Sequence, residues 1–153
     1  MNQHQIRIVQ YVPKYAEQTV KMWRNSKERA IGQKESHSFK SHIHFLNDIL
    51  PGLFQIDLAL IEERVVGMIA YNETEISQLY VHIDYQGIGI GETLLNRVKA
   101  QSNGKLTLYT FEINKNAQRF YEKNGFKIIG RGYENEEKLP DIQYEWNKIN
   151  DVI

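Results

Sequence analysis

The sequence predicts a single α/β domain built on a mostly antiparallel sheet, and three observations point to it. The 153 residues are the usual length of one domain and can bury most of the unfolded surface in one core. Three consecutive runs between residues 54 and 81 are strand-like, as in an antiparallel meander. A strand, a glycine turn, a helix and another strand form a crossover, which indicates a pair of parallel neighbours.

The chain begins with a predicted strand followed by two predicted helices. Residues 6–11 are rich in β-branched and aromatic residues, as strands are. Pro13 suits the first turn of a helix, where its missing N–H would be unpaired anyway. An apolar stripe at helical spacing continues that helix: Ala16, Val20 and Trp23. Residues 24–40 are polar with little periodicity and predict a loop, whereas residues 41–50 predict a second helix. Its inward positions would be Ile43, Leu46, Ile49 and Leu50.

The meander follows at residue 54. Four apolar residues alternate there with polar or small partners and predict a half-buried strand: Phe54, Ile56, Leu58 and Leu60. Residues 62–64 are the predicted turn, and residues 65–71 the returning strand. A second turn then leads into a third strand over residues 75–81.

The last third of the chain reads as helix, strand, helix and hairpin. The first helix has an apolar stripe: Ile90, Leu94, Leu95 and Val98. Residues 105–111 predict the parallel partner strand. Asn116 is the predicted N-cap of another helix, and Gly125 supplies its left-handed end. Residues 127–130 and 142–146 predict the closing hairpin.

Composition excludes several classes of function. Lys plus Arg and Asp plus Glu number 19 each, so no long-range field draws the protein to nucleic acid or to an anionic membrane. Cysteine is absent, which excludes disulfides and a cysteine nucleophile. The sequence also lacks a His-x-x-x-His pair, the spacing that would indicate a metal site on a helix. The N-terminal residues lack a signal-peptide pattern, and no apolar run approaches ~20 residues. We therefore expect a cytoplasmic protein without metal, nucleic-acid or membrane partners.

The segment YQGIGIG at residues 85–91 carries the strongest functional signal. Its glycines allow a ligand close to the backbone, and a helix beginning there offers unpaired N–H groups that suit a phosphate. The P-loop is excluded, because Gly91 is followed by Glu92 and Thr93. The dinucleotide fingerprint fits poorly, because Glu92 stands where its third glycine would be. Glu112 ends the next strand where a ribose-binding acid is expected, so a dinucleotide protein remains an alternative.

The pattern Q-x-x-G-x-G at residues 86–91 resembles the signature of the GNAT superfamily of acetyl-coenzyme A dependent N-acetyltransferases. Two further matches stand in family order: LYV at residues 79–81, and N-x-x-A-x-x-FYEK-x-GF at residues 114–126. The resemblance covers about residues 53 to 130. It implies one GNAT-like domain over residues 1–153, with a mixed sheet of about six or seven strands that is splayed at a central parallel pair and flanked by about four helices.

The resemblance also implies where acetyl-coenzyme A binds as a co-substrate. Family members hold its pyrophosphate on the N–H groups of the glycine turn, with help from the side chain at the position of Gln86. Those N–H groups here belong to Gly87, Ile88, Gly89, Ile90 and Gly91. The pantetheine arm pairs with the preceding strand, here Leu79, Tyr80 and Val81. Asn114 matches a cofactor-contacting position, although an asparagine there is also a common helix-entry residue.

Amide formation removes a proton from the amine and supplies one to the departing thiolate. Tyr121 occupies the family position of the general acid, although a tyrosine on an amphipathic helix is otherwise a core aromatic. Glu75 opens the strand before the glycine turn, where some relatives carry a catalytic base, but an exposed strand-end acid fits equally well. Glu73 and His82 are substitutes for that base.

The sequence therefore predicts an N-acetyltransferase that acts on a primary amine of a small molecule or protein through a tetrahedral intermediate. A non-catalytic acyl-coenzyme A binding or sensor module is the alternative. The residues do not identify the acceptor. Dimers are common among relatives, and a homodimer is left open because no feature of the sequence establishes one.

Overall fold

Seven strands in two antiparallel sheets form the framework of the computed structural model, which describes residues 5–151. The strands are β1 (Ile6–Gln10), β2 (Gln55–Ile61), β3 (Arg64–Tyr71), β4 (Ile76–Val81), β5 (Lys105–Phe111), β6 (Lys127–Gly132) and β7 (Asp141–Asn147). The order is β1-β2-β3-β4 in the first sheet and β5-β7-β6 in the second. The predicted α/β class and the mostly antiparallel pairing are confirmed.

Four helices flank the sheets, and a four-residue helix follows the last strand. They are α1 (Ala16–Ile31), α2 (Phe39–His44), α3 (Ile90–Gln101), α4 (Lys115–Lys123) and α5 (Lys148–Asp151). The loop predicted from residue 24 is wrong over residues 24–31, because α1 continues there and buries Ser26 and Ile31 against the rest of the fold. Within residues 5–151, no helix is long and apolar enough to cross a membrane.

The second helix differs from its predicted form. It begins at Phe39, after Ser38, whose Oγ accepts a hydrogen bond from the Ser41 N–H at 3.1 Å. A π-helical segment, Phe45–Ile49, follows α2 and changes the winding. The wider π winding breaks the helical spacing of inward positions, so Ile49 is 45% exposed although it was predicted to face the core. Leu46 and Leu50 are buried as predicted.

Strand β2 is buried on both faces, which contradicts the prediction that it is half-buried. Asp57 and Ala59, at the positions expected to face solvent, are 2% and 0% exposed. Ala59 belongs to the core cluster that contains α3, whereas Leu58 belongs to the cluster that contains α1. The buried Asp57 carboxylate accepts a hydrogen bond from the Tyr71 hydroxyl at 2.7 Å. Helices on both sides therefore enclose this sheet.

The central strands β4 and β5 meet at one end and then separate. Glu75 and Thr107 form an isolated parallel bridge, and the Thr107 N–H donates to the Thr74 carbonyl at 3.0 Å. β4 pairs along its other edge with β3, and the edge toward β5 is left without a strand partner beyond the bridge, within residues 5–151. The predicted crossover and the splayed central pair are confirmed.

Packing against β3 anchors the crossover helix α3. Its predicted apolar stripe is buried: Ile90, Leu94, Leu95 and Val98. Gly67 lies beneath it, and a Cβ there would stand 3.0 Å from Ile90 Cγ2 and 3.1 Å from Leu94 Cδ1. Because α3 rests this closely on the sheet, its first turn is held at the end of β4.

We expect Leu94→Ala to lower the free energy of unfolding by about 2–5 kcal/mol, because a fully buried side chain leaves a cavity under α3. Leu53→Ala is the matched control. Leu53 is 68% exposed, so the same substitution should change stability by no more than roughly 0.5 kcal/mol. Urea unfolding followed by circular dichroism measures both. Equal losses in the two variants would contradict the assignment of Leu94 to the core.

Candidate active site

A cleft of about 820 Å³ opens where β4 and β5 separate. The glycine turn before α3 forms one wall, the turn into α4 forms the opposite wall, and α1 lies along a third side. The predicted site residues that line the cleft are Leu79, Tyr80, Val81, Gln86, Gly87, Gly89, Ile90, Gly91, Asn114 and Tyr121. Ile88 lies on the same turn with an exposed side chain. Glu75 is not among the residues that line the cleft.

The glycine turn has a backbone that favours glycine and leaves open space in front of it. Gly87 and Gly89 lie in the left-handed region, at φ +82° and +95°, and no atom comes within 4 Å of where a Cβ would stand on either. Gly89 is the N-cap of α3, and its carbonyl accepts from the Thr93 N–H at 3.0 Å. The N–H groups of the first helical turn have no intrahelical acceptor and are available to an anion.

Gly91 serves a different purpose from its two neighbours. A Cβ at this position would stand 3.2 Å from Cε1 and Cζ of the Phe120 ring on α4. A larger residue would therefore push α3 and α4 apart. The glycine is required by helix packing, while its N–H still belongs to the first turn of α3.

Two side chains converge on the carbonyl at the end of β4. Ser26 Oγ donates to the Val81 carbonyl at 2.8 Å, and Gln86 Nε2 donates to the same oxygen at 3.0 Å. Leu79 and Val81 pack toward the α3 side of the sheet, whereas Tyr80 packs toward the α1 side and stacks on Trp23 with ring centroids 6.1 Å apart. The bond from Ser26 thus holds α1 against the strand that forms the cleft floor.

Tyr121 is both a core aromatic and a cleft residue. It is 7% exposed, and its ring contacts Phe120, Phe126 and Tyr144 at centroid distances of 5.2, 5.4 and 6.0 Å. No hydrogen bond to the hydroxyl is formed by any other residue in the described part of the chain. Burial raises the pKa of Tyr121 above its ordinary value, and the neighbouring Tyr80 raises it further. The phenol is therefore protonated at neutral pH and available as a proton donor.

Asn114 is the N-cap of α4, so the predicted cap at Asn116 is wrong. Its Oδ1 accepts a hydrogen bond from the Ala117 N–H at 3.1 Å, because the chain leaves β5 in a turn that places residue 114 at the helix entry. Asn114 also lines the cleft. The helix-entry interpretation is confirmed, and a contact with the cofactor stays a prediction.

The structure does not bring the predicted base to the cleft. Glu75 lies at the closed end of the splay, in the bridge with Thr107, and its N–H donates to Asn72 Oδ1 at 2.8 Å. The substitutes Glu73 and His82 do not line the cleft either. The Nδ1 atom of His82 accepts from the Asp84 N–H at 3.1 Å and caps a short turn.

An ion-pair cluster lies on the α1 side of the splay. Lys27 Nζ is 2.5 Å from Glu137 Oε2 and 3.7 Å from Glu35 Oε1. His37 and Glu136 form a second pair, which joins the loop after α1 to the loop after β6. Sequence reasoning missed this cluster, because it assigned Lys27 to a polar loop and residues 134–141 to the polar loop of the closing hairpin.

A buried histidine lies beside this cluster. His42 packs edge-on against Trp23, with ring centroids 4.3 Å apart, and its Nδ1 is 3.9 Å from Glu35 Oε1. Burial lowers the pKa of His42 to about 4, although Glu35 acts in the opposite direction. Among residues 5–151, no group of three His, Asp or Glu side chains could hold a metal ion.

Comparison with known proteins agrees with this geometry. Residues 54–128 match the family described as acetyltransferase (GNAT) domain. The peptidyl-lysine N-acetyltransferase YjaB of Salmonella typhimurium is 28% identical over 116 residues, which are 75% of this chain and 79% of that protein. The match to the family includes the glycine turn and Tyr121.

Solved structures share the fold. The solution structure of apo-form YjaB from Escherichia coli has a TM-score of 0.77 at 22% identity and covers 93% of this chain and 97% of its own. The PaiA N-acetyltransferase of Thermoplasma acidophilum, crystallised in complex with coenzyme A, has a TM-score of 0.71 at 22% identity and covers 94% and 99%. These likenesses show that the splayed fold is that of known acetyltransferases.

The pKa of His42 predicts a stability change in acid. The folded state takes up this proton near pH 4 and the unfolded state near pH 6.5, so the unfolded state binds more protons between these values. The contribution of neutral His42 to the free energy of unfolding is complete above pH 6.5. It falls by roughly 3 kcal/mol as the pH is lowered to 4.

Denaturant unfolding across this pH range tests the prediction. The gap in unfolding free energy between the native chain and His42→Asn should shrink as the pH falls. His44→Asn is the control, because the His44 side chain is 64% exposed and its variant should follow the native curve. If the His42→Asn and native curves run parallel, the buried neutral state of His42 is wrong.

Proposed function

Because this chain belongs to the GNAT acetyltransferase superfamily, we propose that it transfers the acetyl group of acetyl-coenzyme A to a primary amine by direct attack. The cleft where β4 and β5 separate is the observation that supports this proposal. One opening combines the glycine turn, the free edge of β4 and the Tyr121 residue. An anion site, a strand edge and a proton donor are the groups that this reaction requires.

The donor substrate would lie along the floor of the cleft. Its pyrophosphate suits the N–H groups of the turn from Gly87 to Gly91, since the space before Gly87 and Gly89 is open. Its pantetheine amides can pair with the free edge of β4 as an added strand. Gln86 and Asn114 line the same cleft and are proposed to help hold the donor. Binding by backbone groups agrees with a chain that has no excess of positive charge.

The chemistry would take place at the end of the pantetheine arm. A backbone N–H of β4 would stabilise the oxyanion of the tetrahedral intermediate, a contribution often worth ~3 kcal/mol. Tyr121 would then protonate the departing thiolate. Its raised pKa keeps the proton on the phenol until the thiolate forms beside it.

Removal of the proton from the attacking amine involves a longer path. Glu75 lies at the closed end of the splay, so it can act as the base only through intervening water. A water relay agrees with a cleft of about 820 Å³ that is open to solvent. We therefore assign Glu75 at most an indirect role.

The acceptor class is suggested by the relative that resembles this chain at 28% identity, which is a peptidyl-lysine N-acetyltransferase. A lysine side chain carries the primary amine that the proposed reaction needs. Thiol release in the presence of an amine panel that includes lysine peptides tests the function. Binding of coenzyme A without thiol release for any acceptor would favour the non-catalytic module instead.

Gly89→Val should weaken coenzyme A binding at least tenfold, which is about 1.4 kcal/mol, because the side chain strains the left-handed turn and fills the space before it. Gly104→Val is the matched control. Gly104 has a similar backbone, at φ +103°, but lies in the turn before β5 and outside the cleft. Calorimetric titration with coenzyme A compares the two. Unchanged affinity in Gly89→Val would refute the pyrophosphate assignment.

Tyr121→Phe should lower kcat by roughly 10²- to 10⁴-fold and leave coenzyme A affinity unchanged, since it removes a proton donor and keeps the ring. Tyr133→Phe is the control, because Tyr133 is exposed and does not line the cleft. Stopped-flow measurement of the chemical step avoids masking by product release. Full turnover in Tyr121→Phe would mean that another group protonates the thiolate.

A further inference from the structure

We infer that Lys27 is a self-acetylation site: its own Nζ accepts the acetyl group from the donor bound in the cleft. This inference rests on the proposed function, because it uses the same acetyl-coenzyme A and the same acid, Tyr121. It adds a modification site on α1 that neither the residue pattern nor the likeness to other acetyltransferases assigns.

Lys27 lies beside the proposed donor cleft. Its side chain lines a cavity of about 80 Å³ that lies between β4, β5 and α1. Tyr80 and Tyr121 are among the residues that line both this cavity and the donor cleft, so the two spaces adjoin. The acetyl group would reach the junction at the end of the pantetheine arm. Lys27 is therefore a built-in primary amine on the acceptor side of that junction.

Two carboxylates surround the Lys27 ammonium. Its side chain is 15% exposed, and Glu137 and Glu35 hold the ammonium at 2.5 and 3.7 Å. The carboxylates are themselves shielded from solvent. The two carboxylates favour the charged ammonium, so the amine must lose a proton before it can attack, and Glu137 is the acceptor in direct contact with it.

Self-acetylation conserves atoms and protons. The Lys27 ammonium passes one proton to Glu137, which releases it to water, and the neutral amine attacks the thioester carbonyl carbon. The C–N bond forms, and the C–S bond then breaks. Tyr121 gives its proton to the thiolate and regains one from the nitrogen of the adduct. The products are Nζ-acetyllysine, coenzyme A and one released proton.

Acetylation would change the acceptor side of the site. The amide has no positive charge, so Glu35 and Glu137 would lose their shared cation. The loops after α1 and after β6 would keep the pair between His37 and Glu136 and lose the one through Lys27. The acceptor side around Glu35 and Glu137 would become more negative, and the two loops that carry these residues would be held together less tightly. Both changes favour cationic acceptors.

The test is to incubate the full chain with acetyl-coenzyme A alone and to quantify acetylation at each lysine by peptide mass spectrometry. We expect Lys27 to be labelled at least tenfold faster than the exposed Lys21 and Lys40, at a rate independent of protein concentration. Acetic anhydride is the chemical control. It should label the exposed lysines before Lys27, because it samples exposure alone.

Matched variants separate the site from its surroundings. Lys27→Arg should reduce acceptor-free thiol release at least tenfold, whereas Lys21→Arg should leave it unchanged. Gly89→Val should slow labelling at Lys27 at least tenfold when acetyl-coenzyme A is below saturation, in parallel with its weaker donor binding. Labelling spread evenly over exposed lysines, or a rate that rises with protein concentration, would overturn the inference.

An amine panel run on the same sample distinguishes self-acetylation at Lys27 from the proposed transfer to an external amine. Turnover of external amines without acetylation of Lys27 would overturn the self-acetylation site and leave the proposed function intact. Failure of both reactions would overturn the proposed function as well. Acetylation of Lys27 supports the inference whether or not an external acceptor has been found.

Discussion

The separation of β4 from β5 after a single parallel bridge is the constraint on which the rest of the molecule depends. Had the two strands stayed paired past Glu75 and Thr107, the edge of β4 would be satisfied by β5 and no cleft would exist. The crossover helix α3 returns from the same strand end, so the glycine turn faces the opening. The glycine turn that we propose as an anion site and the unpaired edge of β4 are thus products of one topological feature.

The core and the site share side chains at this opening. Tyr121 packs among three aromatic rings and also lines the cleft, so the packing that stabilises α4 orients the proposed acid. Gly91 performs a similar double task, because it lets α4 approach α3 and contributes an N–H to the turn. Such residues tie the geometry of the site to the rigidity of the core.

Patterns between neighbouring residues predicted much of this fold. The meander, the α3 stripe and the strand over residues 105–111 were confirmed, because each depends on spacing within one element. The wrong predictions concern which other elements pack against a strand or helix. β2 was predicted to be half-buried because Asp57 and Ala59 are polar or small, but helices pack on both of its faces. α1 continues past residue 24 for the same reason, since its contacts outweigh its polar composition.

The sequence by itself determined the local structure that we propose to hold the donor. A glycine turn between a strand and a helix depends on neighbouring residues alone, and its spacing predicts a backbone site for a phosphate. Only the tertiary structure brings together the residues that we propose for the acceptor side. Lys27, on α1, and Glu137, in the loop after β6, are 110 residues apart and meet because that loop reaches back to the helix. The splay likewise keeps Glu75 out of the cleft, because a residue at the point where two strands meet cannot line the space where they part.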